Sequence, residues 1–183
     1  MPNLLNRTLS FGAIAAVQAG LFATIIPIRP AEAGFNQFDT CVFELLDRGI
    51  PDQLAASACS DALKPQDLSE CVQRIGVETP ITAGEALSAC YRVRRPVELA
   101  DCTIGITNEA KEAYVRTNLP TSETDSRSTQ VLQPTALLAL EGCRLSLLPQ
   151  RYSECVIASS RRTNLSPSDA MKTCIKAEEN PQL

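Results

Sequence analysis

The chain has 183 residues, of which 17 are basic, 21 are acidic and none is histidine. The absence of histidine excludes Ser-His-Asp and Cys-His nucleophilic catalysis, histidine-ligated zinc and ordinary haem ligation. A C-x-x-C motif is also absent, so neither a thioredoxin-like centre nor a zinc ribbon is expected. The sequence therefore predicts no cofactor and no metal site, and it contains no motif that indicates an enzyme.

Residues 1–33 have the features of a secretory signal peptide. Arg7 precedes the apolar run Leu9–Ile28, and Ala31-Glu32-Ala33 before Gly34 fits the small-x-small pattern of a signal peptidase site. An uncleaved membrane anchor is the alternative, because about 20 apolar residues are enough to span a bilayer. Cleavage would leave residues 34–183 as a single domain.

The charge and the cysteines of residues 34–183 restrict the partners and the compartment. Removing Arg7, Arg29 and Glu32 from the totals leaves 15 basic and 20 acidic residues, a net charge of −5. We therefore expect no nucleic-acid partner, and membrane association only if the N-terminal segment stays uncleaved. All eight cysteines lie in this part, and an even set indicates disulfides in an oxidising compartment, such as the periplasm, a space like the thylakoid lumen, or the extracellular medium.

The first, third, fifth and seventh cysteines share a helical pattern. Each has a bulky residue three positions before it, and three of the four have an aliphatic residue four positions after it. Such positions fall on one face of an α-helix, so we predict that these cysteines lie on the buried stripe of a helix named A. The cysteines are Cys41, Cys71, Cys102 and Cys155; the residues before them are Phe38, Leu68, Leu99 and Tyr152, and those after them are Leu45, Ile75, Ile106 and, as the exception, Ser159.

The other four cysteines follow a second helical pattern. Each has an alanine four positions earlier and an apolar residue three positions earlier, which predicts a helix named B that permits close approach of a neighbour. The cysteines are Cys59, Cys90, Cys143 and Cys174; the alanines are Ala55, Ala86, Ala139 and Ala170, and the apolar residues are Ala56, Leu87, Leu140 and Met171.

Prolines separate each B helix from the next A helix. The pattern C-x5-P-x5-C occurs three times, with Pro65, Pro96 and Pro149 at its centre. Proline is tolerated in the first turn of a helix and restricts the residue before it, so each of these prolines is predicted to end a B helix and to begin an A helix.

Capping signals predict where the B helices begin. Thr82 with Glu85, and Ser166 with Asp169, have the spacing of capping boxes at the second and fourth B helices. We expect Pro51 and Pro134 to open the first and the third.

These helices predict an all-α fold of four helical hairpins, arranged as an α-solenoid or as a compact bundle. The predicted units are residues 37–63, 65–94, 96–147 and 149–178. The third unit is longer, and residues 117–130 contain one aliphatic side chain in fourteen residues. Because such a stretch buries little apolar surface, we expect a mobile loop there.

Two disulfide schemes are compatible with this plan. Pairing within each hairpin joins Cys41 to Cys59, Cys71 to Cys90, Cys102 to Cys143 and Cys155 to Cys174. Pairing across the proline turns joins Cys59 to Cys71, Cys90 to Cys102 and Cys143 to Cys155, but leaves Cys41 and Cys174 unpaired. The first scheme is favoured, because it uses every cysteine and keeps the pairs local.

Charged side chains provide the candidate site residues. Two basic clusters near predicted helix C-termini are candidates for docking acidic groups of a partner: Arg92, Arg94 and Arg95 in one, Arg161 and Arg162 in the other. Three acids that directly precede A cysteines, Glu70, Asp101 and Glu154, are better explained by the helix dipole than by catalysis.

The leading functional hypothesis is an exported, non-enzymatic helical repeat protein that binds another extracytoplasmic protein. The alternatives are an assembly or accessory factor of a membrane complex, and a small hydrolase that uses carboxylates. The cysteine spacings match neither the twin-cysteine helical hairpin proteins nor the saposins, and the oligomeric state does not follow from the sequence.

Overall fold

A computed structural model describes the backbone of residues 36–117 and 124–179 and the side chains of residues 36–117 and 132–176. Within these residues the regular structure is entirely α-helical, which confirms the predicted all-α class. The predicted signal peptide, residues 1–33, lies outside the described residues. The helices are α1 (Gln37–Asp47), α2 (Asp52–Asp61), α3 (Pro65–Glu78), α4 (Ala83–Cys90), α5 (Pro96–Thr117), α6 (Thr124–Leu145), α7 (Pro149–Arg162) and α8 (Pro167–Glu179).

The helix starts follow the proline and capping signals. Pro65, Pro96 and Pro149 are the first residues of α3, α5 and α7. Thr82 and Glu85 form a complete capping box at α4, in which the Thr82 side chain accepts from the Glu85 N–H and the Glu85 carboxylate accepts from the Thr82 N–H. At α8, the N–H of Asp169 donates to the Ser166 hydroxyl at 3.2 Å. Pro51 is the N-cap residue of α2.

The start of α6 differs from the expectation. Helix α6 begins at Thr124, so Pro134 lies inside it rather than at its start. Residues 124–130 are consequently helical, and the predicted loop over 117–130 is wrong for this part; residues 118–123 lie outside the described residues. Buried Leu132 and Ala136 anchor α6, and adding residues to an existing helix costs far less than starting one. Burial further along the helix therefore outweighs the polar composition of this stretch.

The helices form two layers. Helices α1, α3, α5 and α7 lie side by side in chain order, and each packs against the even-numbered helix that follows it. In the second layer, α4 packs against α6 and α6 against α8, whereas α2 and α4 make no backbone contact. This leaves a groove between α2 and α4 on the surface of the second layer.

Each of the four disulfides joins two helices that are consecutive in the chain. The linked Cα atoms lie 6.0 to 6.1 Å apart, which is within the usual range for a disulfide. Four disulfides indicate an oxidising compartment. The pairs are Cys41 with Cys59, Cys71 with Cys90, Cys102 with Cys143 and Cys155 with Cys174, the scheme that the sequence favoured.

The core is built from aliphatic side chains, alanine and cystine. Leu45, Ile75 and Ile106, which follow three of the A cysteines, are fully buried, and so are the four alanines that precede the B cysteines. One aromatic side chain enters the core near α6, where Tyr152 donates its hydroxyl to the carbonyl of Met171 at 3.3 Å. Gly142 makes room for it, because a Cβ at this position would lie 2.9 Å from Tyr152 Cζ.

Two residues of the predicted buried stripes are exposed. Phe38 of α1 is 45% exposed, whereas its equivalents Leu68, Leu99 and Tyr152 are buried. Each of those equivalents belongs to a helix that packs against a preceding odd-numbered helix, whereas α1 is the first described helix of its layer. Ala56, on α2 at the same edge of the molecule, is also exposed.

Removal of one disulfide is expected to destabilise the fold. The double variant Cys71→Ala/Cys90→Ala should lower the free energy of unfolding by about 3 kcal/mol, because the link spans 19 residues of the unfolded chain. Urea unfolding under non-reducing conditions measures this change. Cys102→Ala/Cys143→Ala, whose link spans 41 residues, should lose only about 0.7 kcal/mol more, since the dependence on length is logarithmic. An unchanged urea midpoint for both variants would contradict the stabilising role.

Pro134→Ala is expected to stabilise the protein. Proline inside a helix removes a backbone hydrogen bond and crowds the preceding turn, so alanine should raise the free energy of unfolding by about 2 kcal/mol. Thermal unfolding followed by circular dichroism measures the effect. Pro51→Ala is the matched control, because this N-cap proline interrupts no helix and its replacement should leave the midpoint nearly unchanged.

Candidate protein-docking site

Four arginines surround one cavity where two interhelical turns meet. The cavity, of about 330 Å³, lies between the α4–α5 turn and the α6–α7 turn. We call these arginines, Arg92, Arg94, Arg95 and Arg144, the basic end. Leu147, which is 88% exposed, also lines the cavity. The basic end thus combines several guanidinium groups with an exposed apolar side chain.

The basic end follows from how the even-numbered helices terminate. Helix α4 ends at Cys90 and α6 at Leu145, and cations are favoured near helix C-termini. Because α4 packs against α6, the two turns become neighbours, and three of the predicted docking residues meet Arg144. The sequence analysis missed Arg144. Its position directly after Cys143, in the last turn of a B helix, is the signal that could have revealed it.

Two of the four arginines are already paired with acids three residues away in the chain. Arg95 Nη1 lies 3.2 Å from Glu98 Oε2, and Arg144 Nη2 lies 2.5 Å from Glu141 Oε1. The hydrogen bond from Arg144 lowers the pKa of Glu141, and the nearby charge of Arg92 lowers it further. Arg92 and Arg94 themselves form no ion pair with the described residues. These two guanidinium groups can therefore donate hydrogen bonds to a carboxylate of another molecule.

An apolar groove continues from the basic end. The groove between α2 and α4 has a volume of about 450 Å³ and is lined by Leu54, Leu87 and Tyr91. Arg92 lines both this groove and the cavity of the basic end. Asp61 is also on the groove wall, where it accepts a hydrogen bond from the Tyr91 hydroxyl at 3.3 Å. A ligand that reaches from one depression to the other would meet apolar surface first and cations next.

The second predicted cluster, Arg161 and Arg162, lies elsewhere. Both residues are in the last turn of α7, whereas the basic end adjoins the first turn of that helix. Arg161 is bound within the fold, because its Nε lies 2.5 Å from Glu109 Oε2 and its Nη2 lies 3.2 Å from Glu112 Oε2. Arg162 forms no ion pair with the described residues.

Glu109 is the buried centre of an ionic cluster that links α5 to α7. Its side chain has no exposed surface and accepts from Arg116 Nη2 at 2.7 Å and from Arg161 Nε. Burial by itself raises the pKa of this carboxyl, but the hydrogen bonds and charges of the two arginines outweigh burial and hold the pKa below its usual value. Glu109 is therefore an ionised structural group.

The three acids that directly precede A cysteines, Glu70, Asp101 and Glu154, lie on helix surfaces. Arg74 Nη2 lies 2.6 Å from Asp101 Oδ1, and Arg74 Nη1 lies 3.9 Å from Glu70 Oε1, so one arginine of α3 connects both acids. Glu154 is exposed on α7. Among the described carboxyl groups, every pKa that departs from its ordinary value is lowered. These groups are Glu85, Glu109, Glu141 and Asp169. A general acid in a cleft needs a raised pKa instead.

Comparison of the chain with protein-family models, curated proteins and solved structures found no match. Among the described residues, no three or more cysteine, aspartate or glutamate side chains are grouped so that they could hold a metal ion. None of the described helices has the length and hydropathy required to cross a bilayer.

Glu109→Gln is expected to destabilise the fold in a pH-dependent way. At neutral pH the variant should lose about 1–2 kcal/mol of unfolding free energy, because it weakens hydrogen bonds between charged groups. The folded-state pKa of Glu109 is depressed, so its contribution is present above the ordinary glutamate value of 4.5 and is lost as the pH falls through the lower folded-state value. Urea unfolding over a pH series should therefore show the difference from the wild type shrinking in acid.

Glu112→Gln is the matched control for this measurement. Glu112 shares both arginines with Glu109, but its side chain is 57% exposed. Its replacement should change the unfolding free energy by less than about 0.5 kcal/mol. Equal losses in the two variants would contradict the special role of the buried carboxylate.

Proposed function

We propose that the chain is an exported, non-enzymatic interaction module that binds an acidic segment of another extracytoplasmic protein at its basic end. The observation that carries the proposal is the meeting of Arg92, Arg94, Arg95 and Arg144 around one cavity, beside exposed Leu147. Arg92 and Arg94 form no ion pair with the described residues, so their guanidinium groups can bind a ligand.

The surroundings of the basic end define the chemistry of the partner. A carboxylate can form two parallel hydrogen bonds with one guanidinium, which favours aspartate and glutamate side chains or a chain terminus. Leu147 at the cavity and Leu54 in the adjoining groove favour apolar side chains next to those acids. The proposed ligand is therefore an acidic and apolar segment of a protein.

The proposed architecture is an array of four disulfide-linked helical hairpins. Each disulfide connects consecutive helices, and the odd-numbered helices pack in chain order, as stacked hairpins would. Arrays of this kind commonly present extended binding surfaces, a link to function that rests on analogy between folds.

The proposed export rests on the signal features of residues 1–33 together with four disulfides. Mass spectrometry of non-reduced peptides from protein recovered from its native compartment tests both. The expected result is a chain that begins at Gly34 with all eight cysteines oxidised. Free thiols throughout would contradict the proposed compartment.

The two alternatives have less support. A carboxylate-based hydrolase needs a cleft with close acids, at least one of them with a raised pKa, and Glu109 has a lowered pKa. An assembly or accessory factor of a membrane complex would also use a docking surface, and co-purification with such a complex would distinguish it from a freely diffusing binder.

Charge reversal at the basic end is expected to abolish binding of an acidic peptide. The probe is a synthetic peptide of alternating leucine and glutamate, titrated into the oxidised chain by calorimetry. Arg92→Glu/Arg94→Glu should weaken binding at least roughly tenfold, because two attractive charge contacts become repulsive. Binding of the wild type should also weaken as salt rises, since these charges are solvated.

Arg162→Glu provides a matched control, because Arg162 is likewise exposed and unpaired among the described residues but lies in the last turn of α7. This variant should bind the peptide about as tightly as the wild type. Equal weakening by Arg162→Glu would mean that net charge rather than the basic end controls binding, and a wild type that does not bind would overturn the proposal.

A further inference from the structure

Helix α1 has an exposed apolar face on the side away from α3. Phe38 is 45% exposed, Phe43 is 69% exposed and Leu46 is 39% exposed, and Val42 lies between them on the helix surface. The opposite side of α1 contacts α3, where Glu44 accepts a hydrogen bond from Ser69 and Arg48 donates to the carbonyl of Gly76. The apolar face is therefore the outer edge of the first layer.

In the other odd-numbered helices, the corresponding face is covered by a helix. Leu68 and Val72 of α3 have the same positions relative to Cys71 as Phe38 and Val42 have relative to Cys41. Both are buried, and α3 packs against α1. The same positions are buried in α5 and α7, each of which packs against the odd-numbered helix before it. Helix α1 thus has the side chains of a helix-packing face without a described helix on it.

The other edge of the layer has a different composition. The exposed positions of α7 include three charged residues, Arg151, Glu154 and Arg162, and the small residue Ala158, so this surface is mostly polar. Terminal units of stacked helical arrays usually have such a polar outer face, because it is in contact with water. The contrast between the two edges indicates that the α1 edge is built to be covered.

The charges around the apolar face are acidic. Asp39 and Asp47 are placed four residues before and after Phe43, so they flank it on the helix surface. Neither forms an ion pair with the described residues. Arg48 is the one basic residue among residues 36–50. Its guanidinium donates to the Gly76 carbonyl on α3. A partner that covers this face would place its own cations beside Asp39 and Asp47.

We propose that the α1 edge binds an amphipathic helix of a partner protein whose apolar stripe is flanked by lysine or arginine. Such a helix would pack on Phe38, Val42 and Leu46 in the way that α1 packs on α3, and its basic flank would meet the two aspartates. A second copy docked face to face would set the aspartates of both copies against each other, and an anionic membrane would be repelled by them. This surface is separate from the basic end, and its test uses different residues.

The test is calorimetric titration of the oxidised Arg92→Gln/Arg94→Gln variant, whose basic end lacks the two guanidinium groups proposed to bind an acidic peptide, with two designed helical peptides of the same leucine stripe. One peptide has lysine on both flanks of the stripe, and the other has glutamate. The lysine peptide should bind roughly tenfold more tightly or better, because two acidic groups contribute to the difference. Phe43→Ser/Leu46→Ser should abolish its binding, and Asp39→Lys/Asp47→Lys should reverse the preference between the peptides. All four positions are exposed or at the surface, and circular dichroism verifies that the variants remain helical.

Leu63→Ser is the matched control, because Leu63 is 95% exposed in the α2–α3 turn and away from the α1 face. It should leave peptide binding unchanged. Equal affinity for both peptides, or no binding of either, would overturn the proposal.

Self-association in sedimentation experiments that Phe43→Ser/Leu46→Ser abolishes would assign the face to a second copy instead. Binding to anionic lipid vesicles that the same variant abolishes would assign it to a membrane. Whether Arg92→Glu/Arg94→Glu loses binding of the acidic peptide tests only the proposal for the basic end, because neither arginine is on α1.

Discussion

The fold depends on covalent links between buried positions of consecutive helices. Most of the linked helices have 8 to 14 residues, a length at which an isolated helix is marginal in water. Each disulfide restricts the unfolded chain and also places two apolar stripes against each other, so burial can begin with little further loss of entropy. This explains how leucine, isoleucine, valine and alanine suffice for a core in which Tyr152 is the one described buried aromatic residue.

The turns that connect the linked pairs also determine the surface chemistry. A proline at the start of α3, α5 and α7 ends the preceding helix within a few residues, and arginines near the helix C-termini gather in two adjacent turns. The other surface of interest, on α1, is apolar and acidic. The described part of the chain thereby has two surfaces of opposite charge, which would suit contact with two different partners or with two parts of one partner.

Features that depend on local chemistry could be predicted from the sequence, and features that depend on neighbouring helices could not. Pro65 and the Thr82 capping box act within one turn of helix, so the helix starts they predict are correct. The burial of Phe38 was predicted wrongly, because its periodicity shows which face is apolar but not whether a helix lies opposite.

The same distinction applies to the candidate site and to α6. Pro134 suggested a helix start, but burial of Leu132 and Ala136 extends α6 past it. Arg161 resembles Arg94 in sequence, yet a buried carboxylate 52 residues earlier in the chain binds it. Arg144 joins the basic end because α4 packs against α6, and that contact is encoded in many side chains rather than in one motif. Helices α5 and α6 have 22 residues each, against 14 in α3, so they extend roughly 12 Å further from the link between Cys102 and Cys143. The disulfide fixes the register of α5 and α6 near the start of α5 and the end of α6. Additional turns therefore lengthen the pair at its opposite end without displacing adjacent helices. A chain of this design can thus gain or lose length at one tip during evolution while its interior stays the same.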